Sequence, residues 1–435
     1  MESTGTSRSR GQPLLMGAVV LAVGCACHPL RPSPPSRDDR QVASQSSQLH
    51  ELIDPTGRWR SQVSTLQAPK LHALPGHVRI DLMPGSPIVT NCFVYEQPIL
   101  AGEATAQLLR ALAPGLRWNK FSALDIEVLN QTPLVAFSLE FETTLGETER
   151  GAFDIFVFPR LEYPAMCSVE TSLSAEQPPT AADQGVAERA VRQFLVNLNA
   201  TQPVQVVVSE LWLLKQQGKP VGFRQSRVER MGELYSTTSQ SSRFSLAPEA
   251  VLNADWIERE LEGNTGLRSM TWLEFTDGRV VFRGQMEWQD DGYRYGVESS
   301  GNRSSGRFPA SAPLLGSVHL HNAVHGGAPG PWSGYYLPEL RVDGASTCEL
   351  VAPSASSTHP CLTCTAQPEP PGASAATEDA DPTQPKATTL WFDVGPSQLS
   401  RQAEGTAGCS AQALNESAAR VESLLVVTQG VWPSF

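Results

Sequence analysis

The chain has 435 residues, of which 40% are hydrophobic and 18% charged, and its formal net charge is -12. That is enough apolar material for two cored domains, and the acidic balance argues against nucleic acid or an anionic membrane surface as partners. With 34 Gly and 34 Pro, turns should be frequent.

The first twelve residues are polar and carry Arg8 and Arg10, and an apolar run follows at 14–24. A positive start before a short apolar run is the layout of a secretory signal. The run is too short to span a bilayer, which takes roughly 20 residues. Leu21-Ala22-Val23-Gly24-Cys25 resembles the lipobox of bacterial lipoproteins, in which a small residue precedes a Cys that receives diacylglycerol before cleavage. It departs from that pattern at Ala22, where Leu is usual. The resemblance implies a signal peptide over 1–24, lipid on Cys25, and a membrane as partner through that lipid. Ala26 is not the Asp that often retains lipoproteins at the inner membrane, so the resemblance implies the outer membrane, facing the periplasm. The alternative is a secreted or cell-surface chain with Cys25 and Cys27 in disulfides. Residues 25–73 then read as a disordered tether, led by the Pro-rich stretch at 28–36.

Residues 74–201 read as an α+β domain: strands at 77–82 and 88–95, a helix at 101–113, strands at 125–129, 134–142, 151–158 and 165–170, and a helix at 185–199. Val135, Phe137, Leu139 and Phe141 share one strand face, as period-2 alternation requires. Asp183 is placed to cap the last helix. This order predicts an antiparallel sheet with helices packed on it. It resembles in pattern the sheet-and-helix sandwich of the PsbP and Mog1 proteins, which are mostly binding modules. Cys92 and Cys167 both fall on strands and are expected to be bridged.

Residues 202–435 read as a long-stranded antiparallel β domain. Strands at 204–215, 220–230, 267–275, 279–288 and 293–298 are separated by turns at Gln217-Gly218, Asp277-Gly278 and Asp291-Gly292. The Ser- and Thr-rich stretch at 233–246 suits an exposed strand. The run at 213–223, ending in Val221-Gly222-Phe223, is similar to the sheet preceding transglutaminase-like domains and to lipoprotein-carrier half-barrels. The Cys, His and Asp core of transglutaminases is not found, so that activity is not implied. The carrier resemblance implies a meander or half-barrel cupping an apolar ligand, with Trp212, Phe223, Trp272 and Phe282 as its lining. Residues 353–387 read as a mobile insertion, and 411–425 as a helix.

Two constellations could carry chemistry. Cys361-Leu362-Thr363-Cys364, with Cys348 and Cys409, reads as structural disulfides in an exported chain, with a zinc site or a redox pair as alternatives. His319, His321 and His325 could bind zinc or copper, because on a strand His319 and His321 would point to the same side. No catalytic motif of a serine hydrolase, a phosphate loop or a zinc protease helix is found.

The sequence thus predicts a lipid-anchored envelope protein that binds a hydrophobic ligand or an envelope partner, with no enzymatic activity and no cofactor. A metal-dependent enzyme built on His319, His321 and His325 is the alternative. A structural or assembly component of the envelope is a third.

Overall fold

The computed structural model describes residues 47–97, 99–112, 115–144, 149–173, 179–201, 205–247, 250–299, 301–309, 312–325, 332–334, 346–351, 361–366, 389–395, 398–404 and 421–433. The signal segment, Cys25, Cys27 and Cys409 lie outside them.

The chain opens with β1 (Gln48–Ile53) and β2 (Trp59–Thr65), followed by β3 (Lys70–Leu74), β4 (His77–Asp81) and β5 (Val89–Tyr95). Helix α1 (Ala101–Leu112) precedes β6 (Leu116–Leu129), β7 (Thr132–Thr143), β8 (Arg150–Phe158) and β9 (Ala165–Ser172). Helix α2 (Ala181–Val196) and the short β10 (Asn199–Ala200) close this part. Strands β3 to β9 form a seven-stranded antiparallel sheet in the order β3-β4-β5-β9-β8-β7-β6, while β1, β2 and β10 form a small sheet of their own.

Residues 48–74 are therefore not a disordered tether. Alternation along β2 buries Trp59, Ser61, Val63 and Thr65. Trp59 meets Phe194 of α2 edge to face at 6.3 Å, and the Ser61 hydroxyl donates to the Phe194 carbonyl. Alternation of this kind is a strand signal, and here it outweighs the polar composition around it.

Both faces of the seven-stranded sheet are covered. One face, with Ile80, Leu82, Val94 and Val169, packs under α2 and the small sheet. The other carries Val135, Phe137, Leu139 and Phe141, on one face as expected, and packs against Leu211, Phe223 and Phe244 of the second sheet. Cys92 and Cys167 are direct partners in the register of β5 and β9, and they are bridged. Helix α2 starts four residues earlier than the sequence predicts. Thr180 is its N-cap, and Asp183 returns a bond to the Thr180 backbone as the second half of a capping box.

The second sheet is a meander of β11 (Val206–Gln216), β12 (Lys219–Met231), β13 (Leu234–Ala247), β14 (Ala250–Gly263), β15 (Gly266–Thr276), β16 (Arg279–Gln289), β17 (Gly292–Ser299) and β18 (Asn302–Pro309). Hairpin turns at Gln217-Gly218 and Asp277-Gly278 hold both central residues at positive φ, the conformation that matches strand twist. After helix α3 (Ser317–His325) come β19 (Trp332–Gly334), β20 (Ser346–Val351), β21 (Cys361–Ala366), β22 (Thr389–Gly395) and β23 (Gln398–Glu404), which form a five-stranded sheet. Finally β24 (Val421–Gly430) returns to pair with β11 as the ninth strand of the meander.

Two expectations are corrected here. The 421–425 end of the expected C-terminal helix is strand, because its backbone completes the β11 edge; residues 411–420 lie outside the described set. The expected insertion contains β21, paired on both sides, with Cys348 opposite Cys364 in the β20–β21 register. The α+β class is met in part: the architecture is mostly antiparallel β, with three helices among the described residues.

Candidate functional site

Helix α1 lies between the two large sheets and determines where space is left. Its first turn sits directly on β14. A Cβ at Gly102 would fall 2.1 Å from the Asn253 amide, so only glycine allows this approach. Asp255, 3% exposed, accepts from the Asn253 side chain at 3.0 Å and from the Glu103 backbone N–H, capping the helix from the neighbouring sheet. Burial pushes the Asp255 carboxyl up to about 7.

A second clamp comes from the turn after β8. The Pro159 carbonyl accepts from the Gln225 and Gln240 amides, at 2.9 and 3.0 Å. Glu162 pairs with Arg160 and Arg227. The two sheets are thus joined through polar contacts on one side and the apolar contacts of Phe223 and Phe244 on the other.

Between the clamps lies a half-open cleft of about 320 Å³. Ile99 and Leu100 before α1 form one wall, with Glu103 in the helix itself, and Ile257, Leu273 and Phe275 form the floor. Three arginines reach it from separate elements: Arg160 from the turn, Arg259 from β14 and Arg283 from β16. Desolvation lowers Arg160 and Arg259 and raises Glu103, each disfavouring the charged form. Clefts between packed units with an apolar lining and a few convergent polar groups are the usual form of small-ligand sites.

Of the expected lining residues Trp272 also borders this cleft, but the four do not all share one face. Trp212 faces Arg224 in the register of β11 and β12, whereas Phe223 faces Leu213, so Trp212 and Phe223 point to opposite sides. Phe223 is fully buried against the first sheet. Trp272 and Phe282 share the face of Trp212 but belong to a closed cluster with Met270, Met286, Tyr293 and Leu314. The Arg224 guanidinium lies 5.6 Å from the Trp212 ring and 5.4 Å from that of Trp256. Trp256 in turn stacks on Trp272 at 5.0 Å. These aromatics and Arg224 form a packed row.

His319 and His321 lie on α3, not on a strand, and their rings diverge. His319 Nδ1 is 3.0 Å from Glu262, whereas the His321 ring stacks on Trp432 at 4.5 Å. Residues two apart on a helix do not face each other. Glu262 and Glu260 instead cap α3: Glu260 accepts from the Ser317 N–H at 2.7 Å, and Glu262 from Val318 at 2.8 Å. Among the described residues no group of three or more His, Cys, Asp or Glu could hold a metal ion.

Sequence reasoning missed Arg160, Arg259 and Arg283. They are dispersed in the chain, and each looks like an ordinary surface charge. A local signal did exist in β14, whose acids Asp255, Glu260 and Glu262 fall on both parities of a strand that alternation alone cannot orient.

Among the described residues no helix is long and apolar enough to cross a membrane. Compared with known proteins, the chain matches no family model, no curated protein and no solved structure.

Proposed function

We propose that this is an exported, membrane-anchored binding protein without enzymatic activity, and that its hydrophobic ligand occupies the cleft between the two sheets. The observation that carries this reading is the cleft itself, about 320 Å³ of space with an apolar floor and walls fixed by α1 and the Pro159 clamp. Trp212 and Phe282 pack with their own neighbours, so the proposed binding surface is the cleft on the face toward the first sheet, which Trp272 also borders. Export and anchoring rest on Arg8, Arg10, the apolar run and Cys25. The residues between Cys25 and β1, fully extended, would let the body stand at most about 75 Å from the bilayer.

Native mass spectrometry of protein purified from membranes tests the binding reading. A co-purifying small molecule should be present and should be lost from Leu273→Glu, which places a carboxylate on the cleft floor. A wild-type protein empty in every preparation, together with cross-links to a fixed envelope partner, would favour a structural role. Labelling with radioactive palmitate should mark the wild type and not Cys25→Ala. Cys348, Cys361, Cys364 and Cys409 are read as forming structural disulfides, and the backbone register that sets Cys348 opposite Cys364 supports one such pairing. Non-reducing peptide mapping checks this.

A further inference from the structure

Resting on that binding reading, we propose that the ligand is a short-chain amphiphile with an anionic head, a phosphate or a carboxylate. Arg259 and Arg283 hold the head, and Ile99, Leu100 and Leu273 take the chain.

Charge is the first ground. The chain as a whole is acidic, at -12. The cleft inverts this, with Arg160, Arg259 and Arg283 set against Glu103 as its only lining acid. Arg160 is committed to the clamp through Glu162 and the Leu198 carbonyl. Arg259 and Arg283 have no hydrogen bond or close ion pair among the described residues. Glu229 and Glu103 act on them only at longer range. Guanidinium groups offer five donors in a planar fork that suits carboxylate and phosphate oxygens. Two such forks left open beside an apolar floor form an incomplete set that an anion would complete.

Placement is the second ground. Ile257, Leu273 and Arg283 lie in one cross-strand row, and Arg259 and Thr271 in the next. The apolar and cationic groups are therefore neighbours on one rigid sheet face, so a single molecule can meet both. A ligand with a tail but no charge would leave the two arginines as they are. An ion without a tail would leave Leu273 and Ile99 facing water.

Size is the third. About 320 Å³ is near the lower end of ligand pockets, roughly 300–1,000 Å³. That suits a single short chain and not a two-chain lipid.

The test uses the full mature chain carrying Cys25→Ala, so that no detergent competes, with titration calorimetry against decyl phosphate, decanoate and decanol. Decyl phosphate or decanoate should bind at least about tenfold more tightly than decanol, consistent with one charge-assisted contact. The two anions separate a phosphate from a carboxylate preference, and either preference supports the proposal. The R259A/R283A double variant should lose that tenfold advantage and keep decanol binding. Because both arginines are exposed residues, the variant should fold, which near-ultraviolet circular dichroism checks. Single R259Q and R283Q variants, each expected to lose part of the advantage, serve if the double variant does not fold. Equal binding of decanol and the anions, unaffected by the arginine variants, overturns the anionic head and leaves the binding reading standing. Failure of all three probes to bind overturns both.

Discussion

The two halves of the nine-stranded sheet build their main apolar clusters on opposite faces. From β11 to β14, the face toward the first sheet carries the apolar Leu211, Phe223 and Phe244, and the far face sets the polar Glu210, Ser226, Ser239, Ser241 and Glu260 among Trp212, Val228 and Trp256. From β15 to β18, the near face carries Thr271, Arg283, Gln285 and Arg294, and the far face carries Met270, Trp272, Phe282 and Tyr293. The switch falls between β14 and β15. It teaches that one continuous sheet can serve two cores, because each half takes its polarity from the layer that covers it. The cleft lies at this switch, where Ile257 and Arg259 of β14 meet Leu273 of β15 and Arg283 of β16.

The largest effect expected from this arrangement separates two adjacent residues. Phe282→Ala should cost about 3–5 kcal/mol through the cavity it leaves. Arg283→Ala, on the exposed face, should stay within about 0.5 kcal/mol. Urea unfolding of the two variants measures both, and similar losses would break the claim of opposed faces.

The polar groups on the far face of the first half should show themselves in pH dependence. Burial raises Glu210 to about 7 from an ordinary 4.5. The folded state therefore binds this proton more tightly than the unfolded one. The associated stability is complete below about pH 4.5 and is lost as pH rises toward about 7. Glu210→Gln keeps an acceptor for the Trp432 indole N–H, which donates to Glu210 at 3.3 Å. It should match the wild type near pH 4.5 and exceed it by about 1–3 kcal/mol near pH 8. Parallel denaturation curves at the two pH values decide it, and a constant difference would remove the assignment.

A smaller effect tests the closure of the apolar half. Tyr293 donates to the Leu267 carbonyl at 2.7 Å and accepts from the Leu314 N–H at 3.0 Å, holding the segment before α3 over the cluster. Tyr293→Phe should lose about 1–2 kcal/mol, and hydrogen exchange at Leu314 should quicken while that of β7 does not.

Much of the strand order was legible because its signals are local. Asp277-Gly278 and Gln217-Gly218 announce hairpins through residues that tolerate positive φ, and Val135 to Phe141 announces its strand by alternation. The misreadings share one cause, dependence on a partner distant in sequence. The Ser- and Thr-rich β13 looked exposed, yet Thr237, Ser239, Gln240, Ser241 and Ser242 are buried. Some of its polar groups find partners on the next strand and in the turn after β8: Ser226 of β12 and Ser239 bond each other at 2.9 Å, and Gln240 reaches Pro159. On a strand, His319 and His321 would point to the same side, but residues 317–325 are not a strand. They form a helix, which Glu260 and Glu262 cap from a strand more than fifty residues earlier. For the candidate site, the four aromatics are all buried and only Trp272 lines the cleft, since parity alone cannot say which face a second sheet will cover.

By itself the sequence determined the rhythm of strands and turns, the pairing of Cys92 with Cys167 on neighbouring strands, and an N-terminus with the layout of an export signal. Turn chemistry, alternation and short apolar runs depend only on nearby residues. Which face of each strand is inside, where α1 leaves a cleft and which arginines meet there were decided by tertiary structure alone. Burial is a relation between layers, and Arg160, Arg259 and Arg283 become neighbours only once two sheets and a helix have packed around them.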